Sequence, residues 1–150
     1  MKILNRKFSR DYESLETVEA GIVLTGGEVK SIRAGQCQLD GAFVKMLGDE
    51  VYLINANIPP YEFASVKDYD PKRTRKLLLH RKEILRLQIK LKQGGRLTLA
   101  PISCYNRGRT IKLEVALCRP RKEIEKRKLE KGRDIERNQK REMREYEKTG

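Results

Sequence analysis

The chain has 150 residues, of which 34 are basic and 21 acidic, so its formal net charge is +13 at pH 7. Hydrophobic residues make up 38%, below the roughly 45–50% that is usual for globular domains. This composition excludes a large α/β enzyme with a deep apolar pocket and indicates a small core with basic extensions. Because no apolar run approaches the ~20 residues of a membrane span and no secretory signal is visible, we expect a cytoplasmic protein.

The excess of positive charge predicts a polyanionic partner, since it creates a field that attracts negative polymers. Basic membrane-surface helices carry Trp, Phe and Leu on their apolar face, whereas this chain has no Trp and three Phe. A nucleic acid is therefore favoured over a membrane surface as the partner.

The N-terminal third predicts a strand followed by a capped helix. Residues 12–24 are rich in Val, Ile, Leu and Thr, which favours an extended strand. Thr25 and Glu28 have the spacing of a capping box, in which each side chain accepts a hydrogen bond from the other residue's backbone. Gly35 stands where the helix would end.

Two hairpins follow from alternation and turn residues. Residues 43–47 and 51–55 flank the turn segment 48–50, and a second pair of strand-like runs meets at residues 106–108. In the last run, apolar residues alternate with Lys112 and Glu114 from residue 111 to 118, which is typical of a strand with one buried face.

Residues 81–91 fit both a helical and an alternating pattern, and their length favours a helix. Many short strands with few helices indicate a mainly β fold. We expect a small OB-like antiparallel β-barrel, with a sandwich as the alternative, two or three flanking helices and a basic C-terminal tail. Barrels of the OB type bind oligonucleotides on an outer face.

Residues suited to catalysis are few. His80 is the one histidine, and Cys37, Cys104 and Cys118 form no C-x-x-C pair for zinc. Phosphate-binding glycine motifs are missing from the sequence, and nothing groups the carboxylates that Mg²⁺ would need. We therefore predict no catalytic residue, no metal and no cofactor, and interpret the cysteines as reduced thiols.

Residues 73–92 hold eight basic residues and one acid, Glu83. The simplest interpretation of this run is a helix face exposed to solvent. However, repulsion among eight cations in one segment favours a polyanionic partner. We therefore assign Arg73, Arg75 and Lys76 to RNA binding. Tyrosine rings stack on bases, and we add Tyr105 to the candidates on that ground.

A change of composition divides the chain into a body, residues 1–118, and a tail, residues 119–150. The tail holds 13 basic and 8 acidic residues and buries too little apolar surface to offset its ordering entropy. We expect it to be disordered or loosely helical when free. On a helical wheel, one arc of about 100° collects eight basic residues and two acidic ones, Glu123 and Glu130. The basic ones are Lys122, Lys126, Arg133, Arg137, Lys140, Arg141, Arg144 and Lys148. An ordinary solvated charged tail is the alternative.

Several blocks together resemble one family, the SsrA-binding proteins, also called SmpB or small protein B. The longest is E-A-G-I-V-L-T-G-G-E-V-K-S-I-R, residues 19–33. The others are Asn5-Arg6-Lys7, Asp11-Tyr12, I-P-P-Y at residues 58–61, D-P-K-R-T-R-K-L-L-L-H at residues 70–80 and Glu125-Lys126-Arg127. The resemblance covers nearly the whole chain in order.

The resemblance implies trans-translation. Proteins of this family bind the tRNA-like domain of transfer-messenger RNA and bring it to stalled bacterial ribosomes. Their OB-like barrel holds the elbow of the RNA. Their basic tail enters the vacant mRNA channel and the decoding region of the small subunit and folds there into a helix. They are not enzymes, and we expect this chain to act as a monomer without membrane contact.

The matched blocks also supply candidate site residues. Those expected to face RNA are Asn5, Lys7, Glu19, Glu28, Lys30 and Arg33. Those expected to face the ribosome are Lys126, Arg127 and the tail arc. Glu19 and Glu28 would accept hydrogen bonds from base amino groups or 2′-hydroxyls, or orient Lys30 and Arg33.

Three positions in the tail region depart from the family pattern. Pro120 replaces a glycine and stiffens the hinge, Glu125 replaces an aspartate, and Ile124 stands where some members have histidine. Two other functions remain open: a general OB-fold RNA-binding or ribosomal protein, and a Mg²⁺-dependent nuclease.

Overall fold

A computed structural model describes residues 1–62 and 67–149, with side chains through residue 144. Within these residues the chain forms seven strands and four helices. In chain order they are β1 (Lys2–Leu4), α1 (Phe8–Asp11), β2 (Tyr12–Ile22), α2 (Gly26–Arg33), β3 (Phe43–Leu47), β4 (Glu50–Ile54), β5 (Arg75–Leu78), α3 (Arg81–Lys92), β6 (Thr98–Arg107), β7 (Thr110–Pro120) and α4 (Glu123–Thr149).

All the strand pairs in this part of the chain are antiparallel, which confirms the mainly β prediction. The strand order is β1-β6-β3-β4-β5-β2-β7, and β6 also pairs with β7. The pairings from β6 through β3, β4, β5, β2 and β7 therefore lead back to β6. Strand β1 lies outside this ring and pairs with β6, with Ile3 opposite Cys104.

The main core lies on one face of the sheet and includes one side chain from each of the two longer helices of the body. Ile111, Leu113, Val115 and Leu117 of β7 are all buried there, as their alternation predicts. Ile32 from α2 and Leu87 from α3 are each 1% exposed in the same core. A smaller cluster, formed by Phe8, Ala100, Ala116 and Cys118, explains why the end of β7 is buried on both faces.

The predicted strands and hairpins are confirmed to within about two residues, which is the usual spread of assigned boundaries. Residues 81–92 form α3, so the length argument chose correctly between helix and strand. The Glu83 carboxylate accepts from the backbone N–H of His80 at 3.3 Å, where the helix begins. The sequence did not predict β1, α1 or β5, which are three or four residues long.

The chain divides into two compact units, Met1–Pro120 and Arg121–Gly150. In the second unit, α4 is 27 residues long and its side chains are mostly exposed, including Ile124 and Met143. Two ion pairs with i,i+4 spacing lie along it, Arg127–Glu123 and Lys140–Glu136. Of the described helices, none is long and apolar enough to cross a membrane.

Candidate nucleic-acid interface

Glu19 lies at the centre of a polar cluster on the outer side of the sheet. Its carboxylate accepts from the Tyr105 hydroxyl and, at 2.8 Å, from Nη1 of Arg107. The hydrogen bond from Tyr105 is the main cause that lowers the pKa of Glu19, with Arg107 and Lys112 adding to it. Burial, followed by the contact with Glu19, raises the pKa of Tyr105 to about 12. Glu19 is therefore an anion held between a phenol and a guanidinium.

The end of α2 meets the hairpin that carries this cluster. Nη2 of Arg33, the last residue of the helix, donates to the backbone oxygen of Arg109 at 2.8 Å, in the turn between β6 and β7. Lys30 lies one turn earlier, and its Nζ is 5.4 Å from the centroid of the Tyr61 ring, which is within the range of a cation–π interaction. The helix and the hairpin thus bring Arg33 close to the turn next to Arg107.

The resulting basic surface comprises exposed side chains from α2 and the hairpin: Lys30, Arg33, Arg107 and Arg109, with Lys112 half-buried beside them. The sequence alone did not predict Arg107, Arg109 or Lys112 as RNA-facing residues. A signal for Lys112 was available, because the alternation of β7 puts it on the face opposite Ile111. Glu19 orients Arg107 and Tyr105 rather than the expected Lys30 or Arg33.

Glu28 has a different place from the one expected. It is 1% exposed, and its carboxylate accepts from the backbone N–H of Thr25, from Arg73 and, at 2.5 Å, from Nε of Arg75. The first of these bonds, with the return bond from Glu28 N–H to the Thr25 hydroxyl, confirms the capping box.

Arg75 is 0% exposed and is the largest fully buried side chain in the described part of the chain. A guanidinium has five N–H donors, and each of the five has an acceptor here. Besides Glu28, the acceptors are the backbone oxygens of Ala56, Arg73 and Pro71 and the hydroxyl of Tyr69, at 2.9–3.1 Å. The Tyr69 hydroxyl in turn donates to the backbone oxygen of Ile58 at 2.7 Å.

This arrangement, which we term the Glu28–Arg75 network, holds the chain around residues 56–58 and 69–75 against the start of α2. Burial by itself raises the pKa of Glu28, but the bonds from Arg73, Thr25 and Arg75 outweigh that effect and lower it to about 2. Full burial leaves neither Glu28 nor Arg75 a surface to offer RNA. The expectation of direct RNA contact is therefore corrected for both, and they become positioning residues.

The remaining body candidates are distributed between interior and surface. Asn5 is 7% exposed, and its Nδ2 donates to the backbone oxygen of Pro101 at 2.9 Å. Lys7 is exposed immediately before α1. Arg73 keeps 37% of its side chain exposed beside Glu28, and Lys76 keeps 46% exposed beside Glu50.

Five of the eight basic residues in the run 73–92 form ion pairs within the protein. Arg73 and Arg75 pair with Glu28, and Lys76 pairs with Glu50. Arg86 and Lys90 both pair with Glu16 of β2. Three carboxylates that lie far away in the sequence therefore reduce the repulsion among these five cations, which the local charge count does not show.

The tail candidates follow the geometry of α4. Of the eight basic arc residues, Lys122 precedes the helix, six lie within it, and Lys148 lies outside the described side chains. Since α4 is a regular helix, those six share one side of it. Arg127 lies off the arc and pairs with Glu123 on the surface of the same helix.

Metal binding among the described residues depends on side chains that lie close together, and the reactivity of the three thiols depends on their pKa values. No cluster of three His, Cys, Asp or Glu side chains that could hold a metal occurs among residues 1–62 and 67–144. The three cysteines are free thiols. Burial raises the pKa of Cys37 to about 11 and the pKa values of Cys104 and Cys118 to about 12.

The chain is similar to known proteins over most of its length. It matches the protein family described as "SmpB protein" over residues 2–145. It is 47% identical over 146 residues to the SsrA-binding protein of Chloroflexus aggregans, covering 94% of this chain and 92% of the relative. It is 44% identical over 142 residues to the SsrA-binding protein of Streptococcus pyogenes serotype M12, covering 95% and 91%.

A solved structure described as "tmRNA-SmpB: a journey to the center of the bacterial ribosome" is similar in fold, with a TM-score of 0.66 and 46% sequence identity. That similarity covers 81% of this chain and 85% of the other. The family match includes the body and most of the tail. This chain therefore belongs to the SmpB family.

Proposed function

We propose that this protein is a non-enzymatic adaptor that binds the tRNA-like domain of transfer-messenger RNA and delivers it to stalled ribosomes. The observation that carries the proposal is the family match over residues 2–145, which includes body and tail together. The relatives are named SsrA-binding proteins, and the similar solved structure is named for tmRNA, SmpB and the bacterial ribosome.

The body supplies the RNA-binding part of this function. The closed ring of strand pairings supports an OB-like barrel, and folds of that type bind oligonucleotides on an outer face. The basic surface of Lys30, Arg33, Arg107, Arg109 and Lys112 contacts RNA phosphates, since arginine and lysine gain affinity there through counterion release. Glu19 and Tyr105 hold Arg107 in place, and the Glu28–Arg75 network fixes the helix that carries Lys30 and Arg33.

The tail supplies the ribosome-binding part. Six arc residues on one side of α4, with Lys122 and Arg127, form a cationic helix suited to a channel lined with phosphates. It enters the vacant mRNA channel while the body holds the RNA. The division between the parts lies after Pro120, because β7 extends to that residue.

A gel-shift experiment with the tRNA-like domain and a structured control RNA of equal length tests the RNA function, with and without Mg²⁺. The proposal requires tighter binding of the tRNA-like RNA and no cleavage. Equal affinity for both RNAs indicates a general OB-fold binder instead. Degradation that starts on addition of Mg²⁺ indicates a nuclease.

Truncation after Pro120 tests the division of labour. The shortened protein should bind the tRNA-like RNA as tightly as the full chain and fail to support tagging of stalled nascent chains in a reconstituted translation system. Tagging at the full rate without the tail would refute the assignment of the tail to the ribosome.

A further inference from the structure

The outward face of α3 carries two neighbouring apolar side chains. Leu87 is 1% exposed and belongs to the main core, whereas Leu85 and Ile89 are 43% and 58% exposed. Each of these two lies about 160° from Leu87 around the helix axis, so both point away from the core. Because they are four residues apart, they are neighbours on the helix surface. The helix therefore has an apolar pair on the side opposite the one that holds it in the fold.

A shallow groove of about 410 Å³ runs along this pair. The rest of its lining is polar or cationic and comes from Lys82, Arg86, Lys90 and Gln93. We call this surface the α3 face. An apolar pair inside a polar rim is typical of a surface that packs against another protein.

A third exposed apolar side chain lies on the strand beside the α3 face. The register of β2 against β7 shifts between Ser14 and Glu16, which leaves Leu15 as the extra residue of a β-bulge. Leu15 is 46% exposed. Its neighbour Glu16 accepts hydrogen bonds from Arg86 and Lys90, so this part of β2 lies along one side of α3.

The charge of the α3 face is positive. The helix itself holds five cations, Arg81, Lys82, Arg86, Lys90 and Lys92, and one carboxylate, Glu83. Glu16 adds a second carboxylate, which two of the cations share. The cations therefore exceed the carboxylates by three, and complementary charge favours a negatively charged partner.

The combination of aliphatic and cationic groups favours an acidic protein over RNA or a membrane. Single-stranded RNA stacks its bases on aromatic rings, and α3 has no aromatic residue. Helices that lie on a membrane bury their main apolar face in lipid. In α3 that face is already used, since Leu87 is in the core and Ile84 and Leu91 pack against it.

We propose that the α3 face binds an acidic amphipathic helix of a partner protein. Apolar side chains one turn apart on that helix pack against Leu85 and Ile89, as ridges of one helix fit the grooves of another. Carboxylates beside them pair with Lys82 and Arg86. The surface is small, which is typical of a transient complex. It lies outside the basic surface proposed for RNA, so the inference goes beyond the proposed function.

The probe is a designed peptide of about five helical turns, held helical by a side-chain cross-link, with leucines along one face and glutamates elsewhere. A second peptide has the same composition with its leucines spread around the helix, and a third has lysine in place of glutamate. Binding to the full-length protein is followed by NMR and fluorescence anisotropy. The first peptide should shift the amide signals of residues 81–93 and bind about tenfold more tightly than the second.

Two variants separate the apolar contact from the charge. Leu85→Ala combined with Ile89→Ala should weaken binding of the first peptide about tenfold. The matched control is Ile124→Ala, which changes an apolar side chain of α4 that is 68% exposed and should leave binding unchanged. Equal melting temperatures of the variants and the wild type show that each one folds.

Lys82→Glu reverses one charge in the lining of the groove. It should weaken the acidic peptide about fivefold and make the lysine peptide bind more tightly. Lys45→Glu is the control, because Lys45 is an exposed cation of β3 outside the lining. It should change neither affinity by more than about twofold, since salt screens distant surface charges.

The proposal is overturned if the acidic peptide leaves the signals of residues 81–93 in place, or if the double variant binds it like the wild type. It is also overturned if phosphatidylglycerol vesicles shift those signals and the peptide does not. The double variant should bind the tRNA-like RNA within about twofold of the wild type. A tenfold loss would place the α3 face in the RNA interface instead. Loss of preference for the tRNA-like RNA in the wild type would refute the proposed function and leave the peptide result unaffected.

Discussion

The Glu28–Arg75 network gives the sharpest prediction. The substitution Glu28→Gln keeps the size of the side chain but removes the negative charge, so Arg75 stays buried without its carboxylate. Removing one partner of a buried ion pair costs about 3–5 kcal/mol. The pKa of Glu28 gives a second estimate. A fall from 4.5 to about 2 corresponds to about 3 kcal/mol of folding free energy at neutral pH.

The two estimates agree, and the pKa shift adds a pH dependence with a definite sign. The carboxyl of Glu28 has a lowered pKa in the folded protein, so its stabilisation is complete above pH 4.5 and is lost as pH falls towards 2. At pH 3 about half of it remains. The difference in unfolding free energy between wild type and Glu28→Gln should therefore shrink from about 3 kcal/mol at pH 7 to about half of that at pH 3.

Urea unfolding followed by near-UV circular dichroism of tyrosine suits this measurement, because five of the six tyrosines lie in the body. Glu50→Gln is the control, since Glu50 pairs with Lys76 while half of its side chain is exposed. Its unfolding midpoint should equal that of the wild type, because exposed ion pairs add little. A Glu28→Gln effect below about 1 kcal/mol at pH 7, or one that stays constant in acid, would refute this account of the network.

Three further outcomes are expected. Glu19→Ala and Arg33→Ala should each weaken binding to the tRNA-like RNA about tenfold with no change in melting temperature, and unchanged dissociation constants at fixed salt would remove both residues from the site. Tyr105→Phe should move the pKa of Glu19 back up towards 4.5, because the Tyr105 hydroxyl is the main cause of its lowering; NMR titration of the Glu19 carboxyl checks this, and a static pKa would contradict it. A peptide of residues 121–150 should be largely coil alone, since isolated helices without packing are marginal and Gly132 lies mid-helix, and should gain helicity on structured RNA. Circular dichroism that stays the same with RNA present would argue against that coupling.

The sequence predicted those parts of the fold that depend on local patterns. Alternation from Ile111 to Leu117 predicted β7, and the Thr25–Glu28 spacing predicted the start of α2. By contrast, β1 has three residues and α1 has four, too few for a period to be visible. Their positions depend on pairing with β6 and on packing around Phe8, which are contacts between distant parts of the chain.

The same limit explains the errors in the candidate site. Arg75 and Glu28 are 47 residues apart. A count of charges within a short stretch of sequence cannot show that a buried arginine pairs with a carboxylate so far away. Arg107 was missed for a related reason, since its partner Glu19 lies 88 residues away. Charge counts predicted that the protein is cationic, while contacts between distant segments decide which cations reach the surface.

The three cysteines have a practical consequence for experiments on the tail. Reagents such as maleimides react with thiolates, and the pKa values of about 11 and 12 keep Cys37, Cys104 and Cys118 protonated at neutral pH. A cysteine introduced at an exposed α4 position such as Gln139 should therefore take a fluorophore selectively in an otherwise unaltered chain. The fluorescence of that dye would then report changes in the surroundings of α4, and no native thiol would have to be deleted.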